Sequence, residues 1–159
     1  MDARHTIRLA VGSALGLGLA PIAPGSFGAL LGVVIHVVAF LSLSQSMLPW
    51  ALFGALIATI VANHVLTPWA VAYWREKDPS HFVLDEVAGY LMVPLLYPYG
   101  PLWHTAVVGF LLFRIIDIIK LPPARQIDRQ VSGPWGIILD DLISGAYAAM
   151  LLHAHRLLL

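Results

Sequence analysis

Cysteine is absent from the 159 residues, which excludes a disulfide, a thiolate metal site and a cysteine nucleophile. Charge is scarce as well. Asp, Glu, Lys and Arg make up 11% of the chain, about half the share usual in soluble domains. Nine bases and nine acids cancel to a formal net charge of zero, and no basic tract exists, so nucleic-acid binding has no electrostatic footprint. Ser-rich linkers, charge runs and internal repeats are missing too, which leaves residues 1–159 as a single membrane-embedded domain. What fills the chain instead is apolar: 59% of residues are hydrophobic, and the mean hydropathy is +0.82. Between Arg8 and Arg75 there is not one Asp, Glu, Lys or Arg, a stretch with room for two membrane spans.

The pattern predicts an all-α, polytopic membrane helix bundle with a polar site at one membrane face. Arg4, His5 and Arg8 precede an apolar run, as in a signal peptide, but "GLAPIAPGSFG" breaks that run and hydrophobic chain continues, so retention is expected. Residues 9–20 are too short and glycine-rich to span, and read as an interfacial or re-entrant segment. Residues 26–43 form the first good span, about 27 Å long as a helix, with Ser26 at its N-cap. Residues 50–74 return, 84–98 open with two carboxylates, and 102–120 return again. A loop over 121–134 leads to a last helix with Pro134 in its first turn. Five tryptophans, at 50, 69, 74, 103 and 135, fall near span ends, as in an aromatic belt.

Antiparallel passage through such a bundle gathers Asp85, Glu86, Asp117, Asp128, Asp140 and Asp141 at one face, with Arg114, Lys120, Arg125 and Arg129. In "FRIIDIIK" the members Arg114, Asp117 and Lys120 are three residues apart. Three helical steps turn about 300°, so the trio lies on one stripe, a snorkelling ladder unless partners meet it. Asp85–Glu86 and Asp140–Asp141 stand at or near helix starts, where the dipole and free N–H groups favour negative charge. Capping alone does not call for four carboxylates converging beside Asp117; a divalent cation does, and ionisable clusters within membrane helices mark functional sites. Oxygen ligands without cysteine point to magnesium or manganese, with Arg114, Lys120 and Arg125 gripping phosphate charge. "APGSFGAL" adds another helix N-terminus after a glycine turn, an anion-binding device that includes Ser26. His36, His64 and His104 stand alone on apolar segments and read as structural, and Asn63 and Thr67 as makers of interhelical hydrogen bonds.

The blocks "APGSFGALLG", "KDPSHFVLDEVAGYL", "FRIIDIIKLPPARQIDR" and "GIILDDLISGAYA" stand in the order and spacing of the phosphatidylglycerophosphatase A family, which the chain resembles from about residue 10 to 150. The resemblance implies a bacterial inner-membrane, magnesium-dependent lipid phosphatase that converts phosphatidylglycerophosphate in the bilayer to phosphatidylglycerol. It carries over Asp85, Glu86, Asp140 and Asp141 as metal ligands, Asp117 and Asp128 as catalytic groups, and Arg114 and Lys120 as phosphate-binding groups. The chain departs from the family at Leu121, where lysine is often followed by proline, although Pro122 and Pro123 come next. Attack by water beside the metal and an aspartyl-phosphate on Asp117 or Asp140 both remain open.

Rival readings are weaker on the residues. The Asp-x₂-Asp-Gly-x₂-Ala-Arg signature of CDP-alcohol phosphotransferases is absent, as are the Lys, Arg and His motifs of type 2 phosphatidic acid phosphatases. A small ion or proton-coupled transporter would use similar Asp, Arg and Lys pairs, but near mid-bilayer rather than at helix ends. Arg4, Arg8, Arg125 and Arg129 on the active face favour a cytoplasmic site.

Overall fold

The computed structural model describes residues 2–158, which contain helices and no strand. The α-helices are α1 (Ala3–Gly12), α2 (Pro24–Ser42), α3 (Leu48–Trp74), α4 (Leu84–Leu96), α5 (Phe110–Ile119), α6 (Ala124–Gln130) and α7 (Pro134–Leu158). A 3₁₀ turn at Leu17–Leu19 lies between α1 and α2, and a π-helical stretch, His104–Gly109, runs directly into α5.

Three helices, α2, α3 and α7, are long and apolar enough to cross a membrane. Val34, Val38, Val61 and Val65 on α2 and α3 are each more than half exposed. Such a surface is a liability in water and the natural one in hydrocarbon. The chain is a membrane protein by this character. At its centre is α4, only 13 residues and about 20 Å long. It is apolar nearly all round and therefore enclosed by protein: α2, α3 and α7 pack around it, and Val87, Ala88, Tyr90, Leu91 and Val93 are all buried. The most extensive packing is between α4 and α7. A β-carbon on Gly145 would run into the Gly89 carbonyl, so this pair of backbones meets where a side chain has no room. Ser144, Ala148 and Ala149 continue the small, buried face of α7.

Polar groups inside the bundle are paired across helices. The His36 ring and the Tyr90 hydroxyl share a hydrogen bond of 2.9 Å, and the Asn63 amide donates to the Pro134 carbonyl at 3.2 Å. Thr67 instead donates to the Asn63 carbonyl in its own helix, at 2.7 Å.

Four local expectations need correction. The segment 9–20, read as one interfacial or re-entrant unit, is divided: its first residues belong to α1, which begins upstream at Ala3 where Asp2 caps it by accepting from the Arg4 N–H, and Ala14, Leu15 and Gly16 at positive φ close that helix off. Helix α2 starts at Pro24 after Ala23 at φ 51°, so Ser26 lies inside the first turn and is not the N-cap; proline, with φ already fixed, sets the start. The segment 102–120 is not one regular helix, since its first part is π-helical. The loop 121–134 contains α6.

Helix ends sort to two ends of the bundle. The starts of α2, α4 and α7, the end of α5 and the segment after α3 share one cavity. The end of α2, the start of α3, the end of α4 and the residues before α5 share another. Helix α1 belongs to the first end, where His5 packs on Trp69 and Tyr73, and the Gly12 carbonyl accepts from the Val83 N–H at 3.0 Å. Aromatic clusters mark both ends, Trp69, Tyr73 and Trp74 at the first and Tyr97, Tyr99 and Trp103 at the second.

Candidate active site

At the first end lies a cavity of about 280 Å³ lined by Asp85, Glu86, Arg114, Asp117, Lys120, Asp140 and Asp141, together with Gly25 and the loop residues Asp78 and Ser80. The backbone places these groups for simple reasons. Asp85 and Glu86 occupy the first turn of α4, where unpaired N–H groups and the helix dipole offset part of the cost of burying them. Asp140 and Asp141 sit two turns into α7, on the face turned to α4 and α5, and are 3% and 4% exposed. Arg114 and Asp117, three residues apart on α5, form an ion pair at 2.8 Å.

Lys120 departs from the expected stripe. The helix has ended at Ile119, and Lys120 stands at φ 52°, a left-handed conformation that takes it out of the helical register of Arg114 and Asp117. Its ammonium instead bridges Asp128 at 2.8 Å and Asp140 at 2.7 Å. Partial burial alone would lower its pKa, but the hydrogen bonds and charges of these two carboxylates outweigh that and raise it above the ordinary lysine value. Through these two bonds Lys120 ties α5, α6 and α7 together.

Three residues singled out from the sequence lie off the cavity. Arg125 is exposed on α6 and has no ion-pair partner among the described residues. Ser26 does not line it; Ala23, Pro24 and Gly25 represent that segment. Asp128 does not line it, and accepts from the Lys120 ammonium at 2.8 Å. In the other direction, Asp78 and Ser80 were missed, although "KDPS" carries a turn signal just before the Asp-Glu pair.

The donor set fits a hard cation. Asp85, Glu86 and Asp141 each offer an oxygen within 4.8 Å of the others, and so do Asp117, Asp140 and Asp141. Asp85 Oδ1, Glu86 Oε2, Asp140 Oδ1 and Asp141 Oδ2 are buried with no hydrogen-bond partner. Unpaired carboxylate oxygens away from water are costly and call for a positive ligand. Asp85 and Asp140 both neighbour Asp141, so the two carboxylate pairs share one site.

Residues 10–156 match the family model described as phosphatidylglycerophosphatase A. The chain belongs to the phosphatidylglycerophosphatase A family. A Bacteroides thetaiotaomicron protein provisionally named as a phosphatidylinositol-3-phosphatase is 31% identical over 147 residues, covering 92% of this chain and 91% of the relative. Phosphatidylglycerophosphatase A of Escherichia coli K12 is 32% identical over 146 residues, 91% of this chain and 80% of the relative. Its namesake in Haemophilus influenzae is 31% identical over 146 residues, 92% and 85% respectively. No solved structure matches the chain. Membership of the phosphatidylglycerophosphatase A family lends no support to the transporter reading.

Proposed function

We propose that the protein is a membrane phosphatase that hydrolyses the terminal phosphomonoester of phosphatidylglycerophosphate, giving phosphatidylglycerol and inorganic phosphate during phospholipid synthesis. Carrying this reading is the convergence of five carboxylates, four of their oxygens buried without a partner, beside Arg114 and Lys120 at one end of a membrane bundle. A phosphate headgroup reaches such an end while its acyl chains lie along the apolar helices.

Asp85, Glu86, Asp140 and Asp141 are the residues that would hold magnesium, which when bound supplies Lewis-acid polarisation of a phosphoryl oxygen. Arg114 spends Nη1 on Asp117, and its guanidinium lines the cavity as a cation for a phosphoryl group. Lys120 directs two bonds to Asp128 and Asp140 and has a third proton left. Both cations neutralise charge on the equatorial oxygens as the transferred group passes through its transition state. Asp117, oriented by Arg114, fixes where the attacking water stands; the water oxygen bonds to phosphorus and gives up its proton to solvent as the ester oxygen leaves with a proton from solvent. Asp128 is a positioning residue that aims Lys120.

The site faces the cytoplasm of a bacterial inner membrane in this reading. Of nine Lys and Arg, all but Arg156 lie in segments at the active end, the asymmetry expected of a cytoplasmic side. The test is phosphate release by the purified full chain in mixed micelles. The substrates are phosphatidylglycerophosphate, phosphatidic acid, phosphatidylinositol 3-phosphate and soluble phosphomonoesters, each with and without magnesium. Highest kcat/KM on phosphatidylglycerophosphate, and only with magnesium, is expected; a preference for phosphatidylinositol 3-phosphate would reassign the substrate.

A further inference from the structure

We infer that the site binds two divalent cations side by side, with Asp141 shared between them. This rests on the metal-assisted phosphatase reading and goes beyond it by fixing the number of ions and allotting the ligands.

The observation is that the acidic groups form two sets rather than one. Asp85, Glu86 and Asp141 bring their oxygens within 4.8 Å of one another, Asp117, Asp140 and Asp141 do the same, and Asp141 is the common member. The sets arise from different helices: α4 supplies the pair of the first, α5 and α7 the pair of the second. Each set contains buried oxygens without a partner, Asp85 Oδ1 and Glu86 Oε2 in the first, Asp140 Oδ1 in the second, and Asp141 Oδ2 between them. Asp85, Asp140 and Asp141 are more than nine-tenths buried, so water does not substitute for the missing partner.

Charge decides between one ion and two. Six carboxylates line the cavity, counting Asp78, against only Arg114 and Lys120. With all ionised, four negative charges are left over; one divalent ion leaves two, and two ions leave none. A phosphomonoester arrives carrying close to two negative charges of its own. A cavity with one ion would still repel it, whereas a cavity with two accepts it. Lys120 strengthens the case, because part of its charge already serves Asp128 outside the cavity.

Manganese serves as the probe. The purified full chain in lipid nanodiscs is dialysed to saturation with Mn²⁺, bound metal is counted per chain, and low-temperature electron paramagnetic resonance reports whether the ions are exchange-coupled. Two Mn²⁺ per chain with a coupled spectrum are expected. Asp85→Asn and Asp117→Asn should each reduce the count from two to one and leave an uncoupled signal, and Asp141→Asn should abolish coupling. The wild-type count stands even where a variant fails to fold. One Mn²⁺ per chain with an uncoupled spectrum, in protein that hydrolyses phosphatidylglycerophosphate, overturns the second ion and leaves the phosphatase reading intact. Two coupled ions in protein inactive on every lipid phosphate support the pair and overturn the phosphatase reading instead.

Discussion

Gly25→Ala separates the geometry of the site from the stability of the fold. Gly25 lies in the first turn of α2, and a β-carbon there would overlap Glu86 Oε1 while standing 3.0 Å from Arg114 Nη2 and from Glu86 Cδ. These obstacles are the ends of side chains, so the helices can stay in place while the carboxylate and guanidinium give way by on the order of 1 Å, a displacement that can cost a catalytic site about 10²-fold. The stability effect is small because two terms oppose: overpacking costs about 1–3 kcal/mol, and alanine is better than glycine within a helix by about 1 kcal/mol. Gly145→Ala is the contrast, since its obstacle is the Gly89 carbonyl, and the α4–α7 backbones themselves must part. Phosphate release and thermal unfolding are measured on both variants in the same detergent. Gly25→Ala should lose about 10²-fold in kcat/KM with a midpoint within a few degrees of wild type, and Gly145→Ala should lose midpoint markedly. Wild-type turnover by Gly25→Ala would show that the Glu86 and Arg114 positions do not matter to the reaction, and the site as drawn would be wrong.

Arg114→Ala and Lys120→Ala should each lower kcat/KM by about 10²-fold or more, read by phosphate release, because each deletes a charge-assisted contact to the phosphoryl group. Asp141→Asn should abolish turnover while the protein still folds, and the rise in thermal midpoint on adding magnesium should shrink, since a ligand stabilises only as far as it binds the folded state. Arg125→Ala, at an exposed position off the cavity, should keep kcat/KM within about twofold in the same assay, in line with the small effects of surface changes. Tyr90→Phe leaves the buried His36 ring without its partner and should cost about 1–3 kcal/mol in denaturant unfolding, with turnover unchanged.

The long helices were legible because lipid-facing and core-facing residues are both apolar, so uninterrupted runs and the prolines at 24 and 134 outline α2, α3 and α7. The carboxylate pairs were legible for the opposite reason, as isolated charges in apolar sequence. Helix α6 was not: "ARQIDRQ" buries only Ala124 and offers no apolar periodicity. Arg125 was drawn into the site by proximity in sequence to Lys120, and its outward position on α6 could not be read from spacing. The stripe through Lys120 failed because the three-residue rule assumes a helix that continues, and "LPP" directly after it ends the helix. Asp78 and Ser80 escaped notice because loops have no period; only folding brings residues 78–80 over the starts of α4 and α7. Ser26 was assigned a cap that Pro24 makes unnecessary.

The sorting of helix ends has a practical meaning for topology. From α2 onward the chain passes between the two ends of the bundle five times, by way of α2, α3, α4, the π-helical stretch with α5, and α7. Five is odd, so α1 and the last turn of α7 belong to opposite sides of any bilayer the bundle crosses. With the cavity at one membrane face, as proposed, a reporter fused before residue 3 would share the compartment into which phosphate is released, and a reporter fused after residue 158 would read the other. Two fusions, one active only in the cytoplasm and one only outside it, would thus orient the catalytic cavity without any substrate being used.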